Sequence, residues 1–198
     1  MERIDTRGAL IDQATHLVRS RGYSAFSFAD LAAAVGIRKA SVHHHFPSKE
    51  ELGIEVVARY TERFQARLAG IDSVDAVASL ERYAALYREG LVNGEACLCG
   101  MIAAETAAVP PAVAAGVATF FTSNLAWLTK LIDEGQRAGD LGKRQPPEAA
   151  AAAVLAALEG AVFVARGLDD IAAFDLATAT TIDLLRAVTP GGRAAIPA

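Results

Sequence analysis

Residues 27 to 52 constrain the fold of this chain more than any other stretch, because two short helical patterns meet there at a glycine. Ser27 is a good N-cap for the first helix, and an acidic residue stands three positions on, as in a capping box. Gly36 is suited to the left-handed conformation that ends a helix. A second helical pattern covers residues 38–45 and is stopped by Pro47. This succession predicts a helix-turn-helix, whose second helix is the one that enters a DNA major groove.

The outer face of the second helix decides what it can bind. Val42 and Phe46 are predicted to point inward at helical spacing, which leaves hydrogen-bond donors outside. This outer face carries two cations and no acid, so it suits phosphate oxygens and the acceptor groups of bases. The alternative is a solvated helix with a few basic residues. The predicted DNA-binding residues are Ser27, Arg38, Lys39, Ala40, Ser41, His43, His44 and Lys49.

Residues 34 to 52 resemble the signature of the TetR/AcrR family of transcriptional regulators. The residues that match it directly are Gly36, Lys39, His44, Phe46, Ser48, Lys49, Glu50, Glu51 and Leu52. Arg38 stands where the family prefers a serine, and Ala40 stands where it prefers a glycine. His43 and His45 stand where tyrosines are common. The resemblance therefore implies a DNA-facing role for this helix, but the base preference of the family does not carry over.

The chain shows no β-branched alternation that predicts a strand, so the fold class is all-α. The resemblance implies an N-terminal three-helix helix-turn-helix domain joined by a long helix to a C-terminal α-helical ligand-binding and dimerisation domain. We expect the first domain at 1–50, the second at 51–190, and a disordered tail at 191–198. Helical patterns are predicted over 5–21, 48–69, 72–93, 95–108, 111–136, 147–166 and 171–188, in addition to the two of the helix-turn-helix.

The last two predicted helices are expected to pair with their copies as a four-helix bundle, which makes the protein a homodimer. Two copies would place two recognition helices about one DNA turn apart, on a palindromic operator. The expected dimer contacts are Val154, Leu155, Leu158, Val162, Ile182, Leu185 and Val188.

The charge is distributed unevenly along the chain. The formal net charge is −4, which by itself argues against a nucleic-acid partner. Residues 1–68, however, hold ten Lys and Arg against eight Asp and Glu, a balance of +2, whereas residues 69–198 carry −6. This asymmetry is typical of a DNA-contacting head on an acidic body. With no signal peptide, no disulfide framework and no convincing membrane span, even at 149–165, we expect a cytoplasmic protein that does not enter a membrane.

The stretch from Cys97 to Glu105 is the most distinctive part of the second domain, and some family members have a similar segment. Cys97 is predicted in the first helical turn, where the helix dipole favours the thiolate, although small buried cysteines are common. Glu105 shares an apolar face and requires a partner, which is either an effector or a nearby arginine. Aromatic residues of neighbouring helices would line an apolar cavity or fill a solid core. The predicted effector-pocket residues are Tyr83, Tyr87, Cys97, Met101, Glu105, Phe120, Phe121, Trp127 and Phe163.

Enzymatic and metal-dependent functions find little support. The chain has no nucleophile elbow, phosphate loop or zinc-protease motif, so we predict that it is not an enzyme and needs no cofactor. The consecutive residues His43, His44 and His45 point about 100° apart on a helix and do not converge on one metal ion.

The sequence thus predicts a DNA-binding transcriptional regulator, a repressor that a small apolar effector releases from its operator. The alternative is a repressor that responds to electrophiles or oxidants through Cys97. A third hypothesis, an α-helical interaction protein that does not bind DNA, is disfavoured by the acid-free outer face of the second helix.

Overall fold

The computed structural model of the protein describes residues 5–71 and 75–187. Within these residues it contains nine α-helices and a 3-10 helix, and the only extended pairing is an isolated bridge between Leu141 and Arg186. The all-α class is confirmed. The tail at 191–198, predicted to be disordered, lies outside the described residues. The helices are α1 (Thr6–Arg21), α2 (Phe28–Val35), α3 (Lys39–His45), α4 (Lys49–Ala69), α5 (Ala76–Val92), α6 (Leu98–Ala103), the 3-10 helix (Thr106–Ala108), α7 (Pro111–Ala138), α8 (Pro147–Leu168) and α9 (Ile171–Leu185).

The predicted helix at 95–108 differs most from the structure. Its α-helical part is only α6, because Cys97 is extended, with φ −60° and ψ 127°, and caps the helix instead of opening its first turn. The preceding residue, Ala96, exchanges backbone hydrogen bonds with α1: its N–H donates to the carbonyl of Arg19 at 3.0 Å. That contact holds the backbone before Cys97 outside the helix, and the chain re-forms only a 3-10 turn after Glu105.

Contacts divide the described residues into two compact units. The first comprises residues 5–70 and 86–123, and the second comprises Ile71, 75–85 and 124–187. Helices α5 and α7 each contribute residues to both units. In the first unit α1 packs against α2, α4 and α6, and α2 packs against α3. Its buried side chains include Leu10, Ala14, Leu17, Leu31, Val42, Phe46, Leu52, Val56, Phe64 and Phe120.

The second unit is dominated by the packing of α8 on α9. Side chains buried in it include Leu128, Ile132, Val154, Leu158, Val162, Phe174 and Ile182. The α8 helix is apolar on nearly every side, and by length and composition alone both α7 and α8 are long enough to cross a membrane. Core helices of water-soluble proteins have the same length and composition, and the most deeply buried side of α8 lies in the core of this unit.

Candidate DNA-binding surface and effector region

The turn between α2 and α3 forms from local interactions that the sequence encodes. The hydroxyl of Ser27 accepts hydrogen bonds from the N–H groups of Ala29 and Asp30, and the carboxylate of Asp30 accepts from the Ser27 N–H at 2.7 Å. This is the reciprocal capping box. At the other end of α2, Gly36 adopts the left-handed conformation, with φ 76° and ψ 31°. An L side chain is strained there, whereas glycine is not, so the chain can reverse into α3.

The α3 helix presents the polar face that its sequence predicts. Val42 and Phe46 are 0% and 1% exposed, so they anchor the helix to the core of the first unit. Ser41 is half-buried, and the remaining members of the outer face, Arg38, Lys39, Ala40, His43 and His44, are exposed. Within the part of the chain that the structure describes, Arg38 and Lys39 have no ion-pair partner. Two exposed cations without an internal partner are available to phosphate groups.

The histidines of α3 make ring contacts and do not form a metal site. The ring of His43 packs edge-on against Phe28 of α2, with centroids 4.9 Å apart, and His44 meets the edge of His45 at 5.4 Å. Among residues 5–71 and 75–187, no three His, Cys, Asp or Glu side chains are grouped so that they can hold a metal ion. The contact with Phe28 fixes the direction of His43 while leaving that residue exposed at the helix surface.

Two of the predicted DNA contacts have structural duties. The amino group of Lys49 donates to the carbonyl of Phe26 and lies 4.3 Å from the centroid of the Phe26 ring. Burial lowers the pKa of this half-buried lysine below its ordinary value. The Lys49 ammonium is therefore directed into the first unit, which revises its predicted role as a phosphate contact. Ser27 is exposed, but its hydroxyl already serves as the N-cap acceptor of α2.

The predicted effector-pocket residues are distributed over both units. In the first unit, Phe64 of α4 lies at the centre of an aromatic cluster. Its ring centroid is 6.1 Å from that of Tyr60, 5.8 Å from that of Tyr87 and 5.2 Å from that of Phe120. Tyr87 and Phe120 are buried, whereas Phe121 and Met101 keep part of their surface accessible. This cluster thus contains both packed rings and partly accessible apolar side chains.

Cys97 is buried and already engaged. It is 4% exposed, and its Sγ accepts a hydrogen bond from the Gly100 N–H at 3.5 Å as the N-cap of α6. Its thiol also acts on Tyr60, whose hydroxyl pKa is raised well above the ordinary value by burial and by Cys97. Cys99 is buried as well, and both cysteines are free thiols. This environment does not favour a switch in which Cys97 reacts with external electrophiles.

Glu105 contacts neither an arginine nor an effector cavity. Its carboxylate accepts two backbone hydrogen bonds from the turn that follows α1, at 2.7 Å from the Tyr23 N–H and at 2.8 Å from the Ser24 N–H. The prediction that Glu105 is an effector-pocket acid is therefore corrected. Its partners are main-chain amides more than 80 residues away, which no side-chain pattern reveals.

In the second unit, Tyr83 and Trp127 are stacked, with centroids 5.4 Å apart, and the Tyr83 hydroxyl donates to Oδ1 of Asn124 at 3.0 Å. Trp127 also lines an open cleft of about 370 Å³, together with Ile71, Lys130 and Glu134. Phe163, by contrast, is 41% exposed on α8. It lies among the outward-facing residues of that helix, which revises its assignment to the effector pocket.

The structure also shifts the expected dimer face. Val154, Leu155, Leu158, Val162 and Ile182 are each at most 7% exposed within a single chain, and Leu185 is half-buried. A partner can bury little more of them. Val188 lies outside the described residues. The large apolar side chains that α8 and α9 do expose are Phe163, Val164, Leu168, Leu176 and Leu184.

Sequence reasoning missed several residues of the first unit. Tyr60 and Phe64 stand four apart on α4, a spacing that marks neighbours on a helix, but this helix was interpreted only as a connector. Arg19 pairs with Glu95 and donates through Nε to the carbonyl of Ala96 at 2.8 Å. Nothing in the local pattern signals these last contacts, because they join segments more than 70 residues apart.

Two family models match the chain. The model for bacterial regulatory proteins of the tetR family matches residues 10–56, and the model for the tetracyclin repressor-like C-terminal domain matches residues 74–181. The first match covers the helix-turn-helix, and the second covers most of the remaining chain.

Individual relatives agree with these models. The chain is 29% identical to the HTH-type transcriptional repressor DhaR of Mycobacterium sp. over 82% of its own length and 83% of that protein. It is 37% identical to the repressor KstR2 of Mycobacterium tuberculosis over 82 residues, which are 41% of this chain and 40% of that one. Among solved structures, a TetR-family regulator from Agrobacterium tumefaciens superposes with a TM-score of 0.88 at 30% identity, covering 91% of this chain and 97% of the other.

Proposed function

This chain belongs to the TetR family of bacterial regulatory proteins and is a DNA-binding transcriptional regulator, and on that premise we propose that it is a cytoplasmic repressor without enzymatic activity. In this proposal, a homodimer binds a palindromic operator through α3 of each copy, and a small apolar effector releases it. The exposed, acid-free face of α3 is the observation that carries the proposal.

Three features of α3 support the contact with DNA. Its buried residues, Val42 and Phe46, leave a complete outer face free for a groove. The cations Arg38 and Lys39 stand at its start, where the N-terminal residues of a recognition helix meet the bases and phosphates. Curated relatives over most of the chain or over its N-terminal part, such as DhaR and KstR2, are named as repressors.

The exposed apolar side chains of α8 and α9 support the dimer. The residues Phe163, Val164, Leu168, Leu176 and Leu184 belong to two helices that pack on each other. Exposed apolar side chains concentrated in this way mark protein interaction surfaces in soluble proteins. A second copy provides the same surface, so the two pairs of helices can form a four-helix bundle.

The aromatic cluster of the first unit supports an apolar effector. Tyr60 keeps accessible surface, although burial raises the pKa of its hydroxyl well above the ordinary value. A deeply placed side chain with accessible surface faces an internal space. Met101 and Phe121 are also partly accessible and offer that space apolar atoms. Binding sites for small molecules combine such apolar walls with a few polar groups.

The experiment that tests DNA binding uses a duplex operator that the protein itself selects from a random pool. Lys39→Ala is expected to weaken binding about tenfold and to reduce the slope of log K against log salt by about one, because one phosphate contact is lost. Lys143→Ala is the matched control, since Lys143 is exposed but lies in the second unit. Equal salt slopes for the two variants would place α3 away from the phosphates.

A further inference from the structure

The segment from Glu95 to Glu105 is attached to the DNA-binding helices at both of its ends. We propose that this segment, the α6 strap, fixes the orientation of the helix-turn-helix, and that Glu105 is its principal positioning residue. The proposal rests on operator recognition by the two α3 helices of a dimer. All of the contacts that carry it lie within the first unit.

The N-terminal end of the strap is held by α1. The guanidinium of Arg19 pairs with the carboxylate of Glu95, and its Nε donates to the carbonyl of Ala96 at 2.8 Å. In return, the Ala96 N–H donates to the carbonyl of Arg19 at 3.0 Å. One turn earlier on α1, the Nδ1 atom of His16 lies 2.7 Å from Oε1 of Glu95. Two side chains and two backbone bonds therefore join this end to α1.

The C-terminal end is held by Glu105. Its two carboxylate oxygens accept from two successive N–H groups, those of Tyr23 and Ser24, in the turn between α1 and α2. Hydrogen bonds to an ionised acceptor are shorter and stronger than neutral ones. The charge of Glu105 also favours the ammonium form of Lys49, which donates to Phe26 in the same turn. The loop that precedes the helix-turn-helix is thus held from α6.

Gly22 makes the close approach of Glu105 possible. The residue has φ 106°, and a Cβ atom built on it would lie 2.3 Å from Oε1 of Glu105. Any other L residue at position 22 would therefore be strained and would also collide with the carboxylate. The turn after α1 is built around this one side chain.

Between its ends the strap is rigidly packed. Leu98, Cys99, Gly100 and Ile102 are buried, and Cys97 caps the helix through its thiol. A short buried helix that is fastened at both ends moves as one body with its attachment points. A displacement of α6 is consequently passed to the turn before α2 directly, in addition to any motion of the long helix α4.

The test asks whether the strap determines the spacing at which the protein reads DNA. Full-length variants are titrated with the selected operator and with the same operator lengthened by two base pairs between its half-sites. That insertion rotates one half-site by about 70° relative to the other. Glu105→Ala is expected to raise the dissociation constant for the native operator about tenfold, the equivalent of one charge-assisted hydrogen bond. It is also expected to lower the discrimination between the two operators at least fivefold, to about that size.

The controls separate positioning from mere stabilisation. Glu89→Ala removes an exposed ion pair with Arg67 in the same unit and is expected to keep the full discrimination. Glu95→Ala frees the other end of the strap, and the double variant with Glu105→Ala is expected to be little worse than either single change, since both disable one device. Glu105→Gln keeps the length of the side chain and is measured in parallel, so that a poorly folded alanine variant does not decide the result.

The outcomes are distinguishable. Loss of discrimination in Glu105→Ala or Glu105→Gln, with retained dimer mass, supports the strap. If these variants bind more weakly but discriminate as well as the wild type, Glu105 only stabilises the fold and the strap proposal is overturned. If the wild-type protein itself does not discriminate between the two operators, recognition of a two-fold operator fails, and the strap loses its role with it.

Discussion

The helix-turn-helix and the α8–α9 pair use their apolar residues in opposite ways. In the first, Leu31, Val42 and Phe46 are at most 1% exposed, and the surface left outside is polar. In the second, Leu168, Leu176 and Leu184 are each about two-thirds exposed or more.

This difference indicates two kinds of partner. A helix that hides its apolar side and presents donors is suited to a strongly charged, hydrated ligand such as DNA. A helix pair that fills its own core and still exposes large aliphatic side chains is suited to another protein surface. The same unpartnered residues would otherwise be an aggregation hazard, so we expect them to be covered in solution.

The largest effect is expected inside the α8–α9 pair. Leu158→Arg places a charge at a position that is 1% exposed, where no partner compensates its desolvation. We expect a loss of about 4 kcal/mol or more in the free energy of unfolding, measured by denaturant titration followed by circular dichroism. A stable, folded monomer would instead show that Leu158 faces the second copy and that the buried and exposed sides of α8 have been exchanged.

The next effect is expected on the outside of the same pair. Leu176→Arg changes a residue that is 72% exposed, so the folded chain should keep its stability within about 0.5 kcal/mol. The dimer, however, should dissociate, and sedimentation should give the monomer mass. Operator binding should weaken about 100-fold or more, because the second half-site no longer binds within the same complex.

A matched variant sharpens this result. Val92→Arg introduces the same charge at an apolar residue of α5 that is 59% exposed and belongs to the first unit. It should leave both the dimer mass and operator binding unchanged. Dimer mass retained in Leu176→Arg, or lost in Val92→Arg, would contradict the assignment of the dimer face to α8 and α9.

These two substitutions also show where sequence reasoning reached its limit. Helix α8 was predicted within two residues of its observed end, because its boundaries are marked by Pro147 and by the polar residues after Leu168. Its inner face was not predicted. A helix that is apolar on nearly all sides has no contrast from which to choose a buried stripe. The same ambiguity placed Phe163 in the effector pocket.

The helix-turn-helix was predictable because its determinants are local. Ser27, Gly36 and Val42 act on residues within a few positions of themselves, so the caps, the turn and the inward side chain could all be read from spacing. Glu105 and Lys49 could not, since their partners are backbone groups of a distant turn. Side-chain patterns carry no information on which main-chain amides and carbonyls remain to be satisfied.

The smallest effect concerns Ser27, the member of the predicted DNA-binding set that has a structural task of its own. The pKa of the Asp30 carboxyl is lowered, first by the Ser27 hydroxyl and then by the Ser27 N–H. A carboxyl whose pKa is lower in the folded chain stabilises it above the ordinary pKa, and this contribution is lost as the pH falls through the lowered pKa. Ser27→Ala removes the larger cause, so the pKa of Asp30 should rise partway towards its ordinary value in a carboxyl NMR titration.

Ser27→Ala also distinguishes a helix cap from a DNA contact. Loss of an N-cap serine should destabilise the chain by about 1 kcal/mol, while operator binding by the folded fraction stays nearly unchanged. The control is Ser48→Ala, which removes the N-cap of α4, where the hydroxyl accepts from the Glu51 N–H at 3.1 Å, and should leave the Asp30 titration as it is. A drop in affinity accompanied by a smaller salt slope for Ser27→Ala alone would show that its hydroxyl also contacts phosphate. The polar surface of the helix-turn-helix would then extend from α3 to the start of α2.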